Sequence, residues 1–230
     1  MRKIFLLIGL VVASISAKAQ YEPGTFSIQP KVGVTASWMS NMPDLPFASL
    51  GFEKDIKSSP TGGAVVGAEF EYQAAKWLGL TAGVSYAMQG SGWEDTDLKL
   101  GGSTVKMRDA KIETGYINLP VVANFYLCKG LALKTGVQFG FMTNAKVKVS
   151  LSQSSGSTNQ KTEYDEDMKD ECEKFDISIP VGLSYEFNNH LVLDARYNIG
   201  LTKVNKESLQ GEDDSKNGVF QLTIGYKIKL

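Results

Sequence analysis

The chain has 230 residues with 24 basic and 25 acidic side chains, and a net charge of -1 gives no electrostatic reason to expect nucleic acid as a partner. Two cysteines and one histidine are too few for a disulfide framework or a structural zinc site.

The chain opens on MRKIFLLIGLVVASISAKAQ. Arg2 and Lys3 precede an apolar run from Ile4 to Ala13, and small residues at Ala17 and Ala19 precede Gln20. The pattern is that of a secretory signal peptide over residues 1–19, cut after Ala19. A membrane anchor helix is the alternative, but the run falls short of the roughly 18 apolar residues a span needs. No cysteine stands directly after the cleavage site, and no later apolar run is long enough for a helical span.

From about residue 25 onward, alternation with period two dominates. Strands are expected at about 26–39, 62–74, 77–91, 116–127, 130–149, 176–187, 191–201 and 220–230, about eight in all. The last is the clearest: Phe220, Leu222, Ile224, Tyr226, Ile228 and Leu230 alternate with Gln221, Thr223, Gly225, Lys227 and Lys229. Short turns at 74–76, 128–130 and 188–190 alternate with long polar stretches at 40–60, 92–112, 150–174 and 204–217. All tight turns therefore fall at one end of a single-domain sheet, and all long loops at the other.

A soluble barrel would bury the apolar faces inside. Two features favour the reverse. The apolar faces run to five or six residues per strand, close to what a strand needs to cross a bilayer. The polar faces collect Gly33, Gly67, Gly83, Gly136, Gly140, Gly182, Gly200 and Gly225 beside isolated charges, and glycine makes room inside a narrow lumen while contributing nothing to a wet strand face. Aromatics divide between the turn end (Phe26, Phe70, Tyr72, Trp77, Phe125, Phe187) and the loop end (Trp38, Tyr86, Trp93, Phe141), as two interfacial girdles would. The expected fold is all-β, a closed antiparallel up-and-down transmembrane barrel with short periplasmic turns and long external loops, because in lipid a sheet must close on itself.

Two strands carry a central proline. YINLPVVANFYL (116–127) and DISIPVGLSYEF (176–187) repeat at a 60-residue displacement, with Pro120 matching Pro180, Glu113 matching Glu173 and Phe125 matching Tyr185. Both prolines fall on the inward face. A proline removes a ladder hydrogen bond and a closed barrel has no edge, so two equivalent β-bulges are expected.

At these residues the chain resembles the PorT-like outer-membrane β-barrel family of the Bacteroides group. The motif Y-[LI]-x-[IL]-P is matched by Tyr116, Ile117, Leu119 and Pro120, with Phe125 and Tyr126 after it, and GVTASWMS in an early strand is similar too. The resemblance covers about 25–230 and implies an eight-strand outer-membrane barrel. Many such barrels end in Phe, whereas this chain ends in Leu230.

Chemistry is sparse. The one histidine, His190, falls in a predicted turn remote from the outer rim, where a general base would meet external substrates. No G-x-S-x-G or H-E-x-x-H pattern occurs, so neither a catalytic residue nor a cofactor is implied. The acidic stretch EYDEDMKDECEK (163–174) reads as a solvated, mobile loop; calcium is the alternative, although EF-hand spacing is absent. Inward charges of both signs, Lys31, Glu69, Lys134, Glu186, Asp194, Arg196 and Lys227, with Glu71 at the edge of the pattern, are expected to pair into a plug rather than line an ion path. Cys128 and Cys172 fall at opposite ends of the barrel and are expected to stay unbridged. Outer-membrane lipid is the expected surrounding, and a protein or glycan partner could be met by the loops. The expected role is structural or interactive, with an outer-membrane enzyme or a narrow channel as alternatives.

Overall fold

The computed structural model describes residues 21–42, 44, 55–100, 103–155, 158–204 and 215–230. The segment 1–19, expected as a signal peptide, and parts of the stretches at 40–60 and 204–217 lie outside these.

Eight long strands form a ring: β1 (Phe26–Met39), β3 (Thr61–Ala75), β4 (Leu78–Trp93), β6 (Ser103–Cys128), β7 (Leu131–Ser155), β9 (Phe175–Glu186), β10 (Leu191–Lys203) and β11 (Lys216–Tyr226). Each pairs antiparallel with its neighbours, and β1 pairs with β11 to close the barrel. Four short strands complete the sheet: β2 (Ser58–Ser59), β5 (Thr96–Leu100), β8 (Thr158–Asp167) and β12 (Ile228–Lys229).

The alternation is turned inside out relative to a soluble protein. Val32, Phe70, Val121, Leu183 and Ile224 are among many large apolar side chains at least 40 % exposed, while Lys31, Glu69, Lys134, Asp194 and Arg196 are at most 5 % exposed. Such a continuous apolar exterior is stable only against lipid. Aromatic contacts band both ends of it. Phe26 lies 4.9 Å from Tyr72 and Tyr185 4.9 Å from Phe187 at the turn end, whereas Trp38 stacks on Tyr197 at 5.5 Å towards the loops.

The prolines sit in a different local structure from the expected bulges. Pro120 keeps unbroken register with Gln138 of β7, and the β4–β6 ladder resumes in the same register after skipping the pairs that face Gly83 and Val84. Pro180 behaves identically: it pairs with Asn198 of β10, and the β7–β9 ladder skips Gly136 and Val137. Pro30 does the same between β1 and β11–β12. A missing N–H costs one rung on one side only, so the strand keeps its phase and its faces. In the first two cases the inward residue opposite is glycine, which needs no ladder support for a side chain. A true register shift occurs instead between Gly115 and Tyr116, where Thr143 of β7 is inserted and donates through Oγ1 to the Gly115 carbonyl at 2.9 Å.

That shift marks where the sheet leaves the barrel. The stretches 92–112 and 150–174, expected as loops, are largely strand. β6 and β7 run for 26 and 25 residues and project past the barrel rim, flanked by β5 on β6 and β8 on β7. Their Ser, Thr and Lys content disguised them, since the apolar side chains buried there are few: Met107 and Ala110, at 4 and 3 % exposed, stand three positions apart and give no period-two alternation to read. Here Glu113 accepts from Lys111 at 2.8 Å and Lys148 at 2.5 Å. Partial burial works to raise the Glu113 carboxyl, but the two lysines outweigh it and hold the group below its ordinary range. A depressed folded-state value stabilises above the unfolded one and is lost as pH falls through the folded one. Glu113→Gln should therefore cost within about 1 kcal/mol at neutral pH and nothing in acid, measured by urea unfolding.

Candidate functional site: the filled lumen

Among the described residues nine charged side chains are buried inside the ring, and eight of them fall into two groups. The first lies at mid-height. Arg196 of β10 donates Nη1 to Glu69 Oε1 and Nη2 to Glu69 Oε2, both at 2.7 Å, across the lumen. It also binds Asp194 on its own strand, Nε to Oδ1 at 2.8 Å and Nη2 to Oδ2 at 2.8 Å. Lys31 reaches Glu69 at 2.5 Å, and Lys134 reaches Asp194 at 2.6 Å and Glu69 at 3.9 Å. One fork-shaped guanidinium thus bridges two carboxylates, each of which also holds an ammonium. Planar bidentate geometry is what arginine supplies and lysine does not.

Glycine makes the space. A Cβ on Gly182 would meet Arg196 Cγ at 2.8 Å, and one on Gly83 would meet Glu69 Cγ at 2.7 Å. These small residues on β9 and β4 let long side chains lie flat across a narrow lumen.

The second group is at the turn end. Lys227 Nζ is 3.2 Å from both oxygens of Glu71, 3.4 Å from Glu186 Oε2 and 3.1 Å from Tyr126 Oη. Glu71 also accepts from Tyr126 Oη at 2.5 Å and Asn124 Nδ2 at 2.6 Å. Tyr21, just before β1, donates to Glu186 Oε1 at 2.8 Å and lies 3.0 Å from His190 Nδ1. Burial and the Glu186 carboxylate beside it push the Tyr21 phenol up. Backbone bonds from Gly24 to Gln73 and from Gln73 to Thr25 hold this short lead-in across the turn-side mouth.

Of the charges singled out in the sequence, Lys31, Glu69, Lys134, Asp194 and Arg196 meet in one lattice, while Glu186 and Lys227 belong with Glu71 in the other. Tyr126 and Asn124 are uncharged and stand outside that set, although their parity opposite Phe125 and Leu127 puts them on the inward face. His190 adopts φ = +65° in its turn and pairs with Tyr21 and Glu186.

The ninth charge, Asp176, lies nearer the loops and accepts from Thr202 Oγ1 at 2.8 Å. Above it the lumen is corked by apolar side chains: Met39, Tyr116, Met142, Ala145, Cys172 and Val204 form one buried cluster. Cys172 and Met168 come from the acidic stretch, which is solvated as expected but is largely regular structure rather than a loop. Residues 158–167 are strand, Lys169–Glu171 is a 3-10 turn, and the segment is bonded to the barrel from Met168 N to Ala145 O at 3.0 Å and from Glu173 N to Val204 O at 2.7 Å. Glu163, Asp165, Glu166 and Asp167 point to solvent along β8. Backbone pairing, invisible in the charge run, orders them. Cys128 lies at the turn end and is not bridged to Cys172.

A closed eight-strand barrel with an apolar exterior and an internal salt lattice defines an integral outer-membrane barrel. The chain belongs to the outer membrane protein beta-barrel domain family, whose model matches residues 18–206. No curated protein matches the chain. Among solved structures it is similar to Ail, the attachment invasion locus protein of Yersinia pestis, in complex with the heparin analogue sucrose octasulfate. That match has 13% identity and a TM-score of 0.42, covering 90% of this chain and 100% of that one. Neisserial surface protein A matches at 13% identity and TM-score 0.40, covering 89% and 97%. OprG from Pseudomonas aeruginosa matches at 13% identity and TM-score 0.37, covering 91% and 99%.

Proposed function

We propose that this is a sealed outer-membrane barrel of the PorT-like kind, exported with residues 1–19 removed, that acts through its loop-side hairpins rather than its lumen. Its role is structural or interactive, it is not an enzyme, and its partner is a protein or glycan met outside the membrane. The observation that carries this reading is the Arg196 lattice. It spans the lumen at mid-height with every member at most 5 % exposed, and in a barrel of eight strands that leaves no aqueous path. The Met39–Cys172 cluster over one mouth and the Tyr21 contacts at the other add to it. The PorT-like assignment rests on Tyr116, Ile117, Leu119 and Pro120, and the non-enzymatic one on the lone histidine lying at the turn end with two protein partners.

The test is electrical. The purified protein should migrate differently boiled and unboiled, as a folded barrel does, and should give no steady current in planar bilayers. Steady, ion-selective current from the unmodified protein would overturn the sealed-lumen reading. Crosslinking through the loops in native membranes then identifies the partner.

A further inference from the structure

Five sulfur-bearing side chains converge at the loop-side mouth. Met39, Met142 and Cys172 are 9, 5 and 4 % exposed within one cluster, and Met42 and Met168 pack against it. The whole chain has 7 methionines and 2 cysteines, so four of the methionines and one cysteine meet in one place. They arrive from separate parts of the sequence: Met39 ends β1, Met42 follows it, Met142 lies on β7, and Met168 and Cys172 flank the 3-10 turn. Three backbone bonds set that last segment: Met168 N to Ala145 O at 3.0 Å, Met142 N to Lys174 O at 2.8 Å and Glu173 N to Val204 O at 2.7 Å. Filling a mouth with apolar volume needs only Leu, Ile or Val, which pack with better-defined rotamers. A thiol that shares one packed cluster with four thioethers offers in addition a soft donor set.

We propose that this cluster is a binding site for a soft monovalent metal ion of the Cu(I) or Ag(I) class. Cys172 supplies the anionic ligand, the thioethers of Met39 and Met142 complete the inner coordination, and Met42 and Met168 form the half-buried rim through which the ion enters. Binding exchanges the thiol proton for the metal, M⁺ + HS–Cys172 → M–S–Cys172 + H⁺, with no change of oxidation state. The product is neutral at the metal, which suits an apolar, buried position where a free cation would be costly. Hard and borderline ions are not accommodated. Among the described residues no group of three or more His, Cys, Asp or Glu converges, and His190 is at the opposite end of the barrel.

The test uses the full mature protein in detergent with Cys128→Ser, so that Cys172 is the one remaining thiol, and Ag(I) as a redox-inert probe. The expected result is one ion and one released proton per barrel, with Zn(II) failing to bind at the same concentration. Met39→Leu and Met142→Leu preserve volume and should each weaken Ag(I) about tenfold or more, while Cys172→Ser should abolish stoichiometric binding. Heat-modifiable migration checks that each variant is folded. X-ray absorption of the Ag(I)-loaded parent, which needs no thioether variant, should count about three sulfur ligands. Leu variants that bind as tightly as the parent, a single sulfur in the absorption spectrum, or no stoichiometric binding would each overturn the proposal. None of these outcomes bears on whether the lumen conducts, so the two readings fail independently.

Discussion

Arg196→Ala is expected to destabilise the barrel by about 3 to 5 kcal/mol, read from urea unfolding in lipid vesicles. The guanidinium makes four bonds of 2.7 to 2.8 Å to Glu69 and Asp194. Without it each carboxylate keeps an ammonium, Lys31 or Lys134, but loses two charge-assisted hydrogen bonds in a place water does not reach. The vacated volume adds a cavity. Arg196→Lys should recover only part of the loss, because a point charge cannot grip both oxygens of Glu69. A double-mutant cycle with Glu69→Ala separates this from simple loss of packing: the two single losses should sum to clearly more than the double variant's loss, since removing both partners leaves less charge stranded. A conducting lumen predicts otherwise. Arg196→Ala would then hardly change stability and would instead alter ion selectivity, and that outcome would discard the plug.

How far such a lattice could be read from sequence follows from what alternation encodes. Period-two patterning reports faces, so Lys31, Glu69, Lys134, Asp194 and Arg196 could all be assigned inward from parity alone. It does not report height in a tilted barrel. Glu186 and Lys227 were therefore grouped with them, although strand register places both beside Glu71 at the turn end. Alternation also needs one dry face. Where β6 runs past the barrel the buried Met107 and Ala110 are three positions apart, so the polar sequence around Lys106 and Arg108 carries no strand period. Proline misleads for another reason: its missing N–H suggests a β-bulge, whereas Pro120 and Pro180 give up a rung on one side and keep register on the other. The Met39–Cys172 cork leaves no local signal, because its members come from five separate stretches of the sequence spread between Met39 and Val204.

Lys227→Ala should be comparably damaging, at about 3 to 5 kcal/mol, and its pH dependence identifies the cause. Lys227 lies in the one-residue break between β11 and β12, where its N–H is taken by the His190 carbonyl at 2.9 Å. Its ammonium is within 3.4 Å of both Glu71 and Glu186 and sits 5.5 and 5.7 Å from the ring centres of Tyr21 and Tyr126. Removing it leaves two carboxylates facing each other with hydroxyl and amide donors but without the cation between them. Protonating either one relieves the repulsion, so in the variant the folded state binds protons more readily than the unfolded chain. Stability rises with falling pH wherever that holds. The loss should accordingly be largest at about pH 7 and shrink towards about pH 5, and Lys227→Met, which keeps the apolar stem, should show the same trend. A pH-independent loss in Lys227→Ala that Lys227→Met repairs would mean that the stem packs and the charge is idle. In that case the turn-end group is a packing plug, and the Tyr21 contact would survive replacement of Glu186 by Gln.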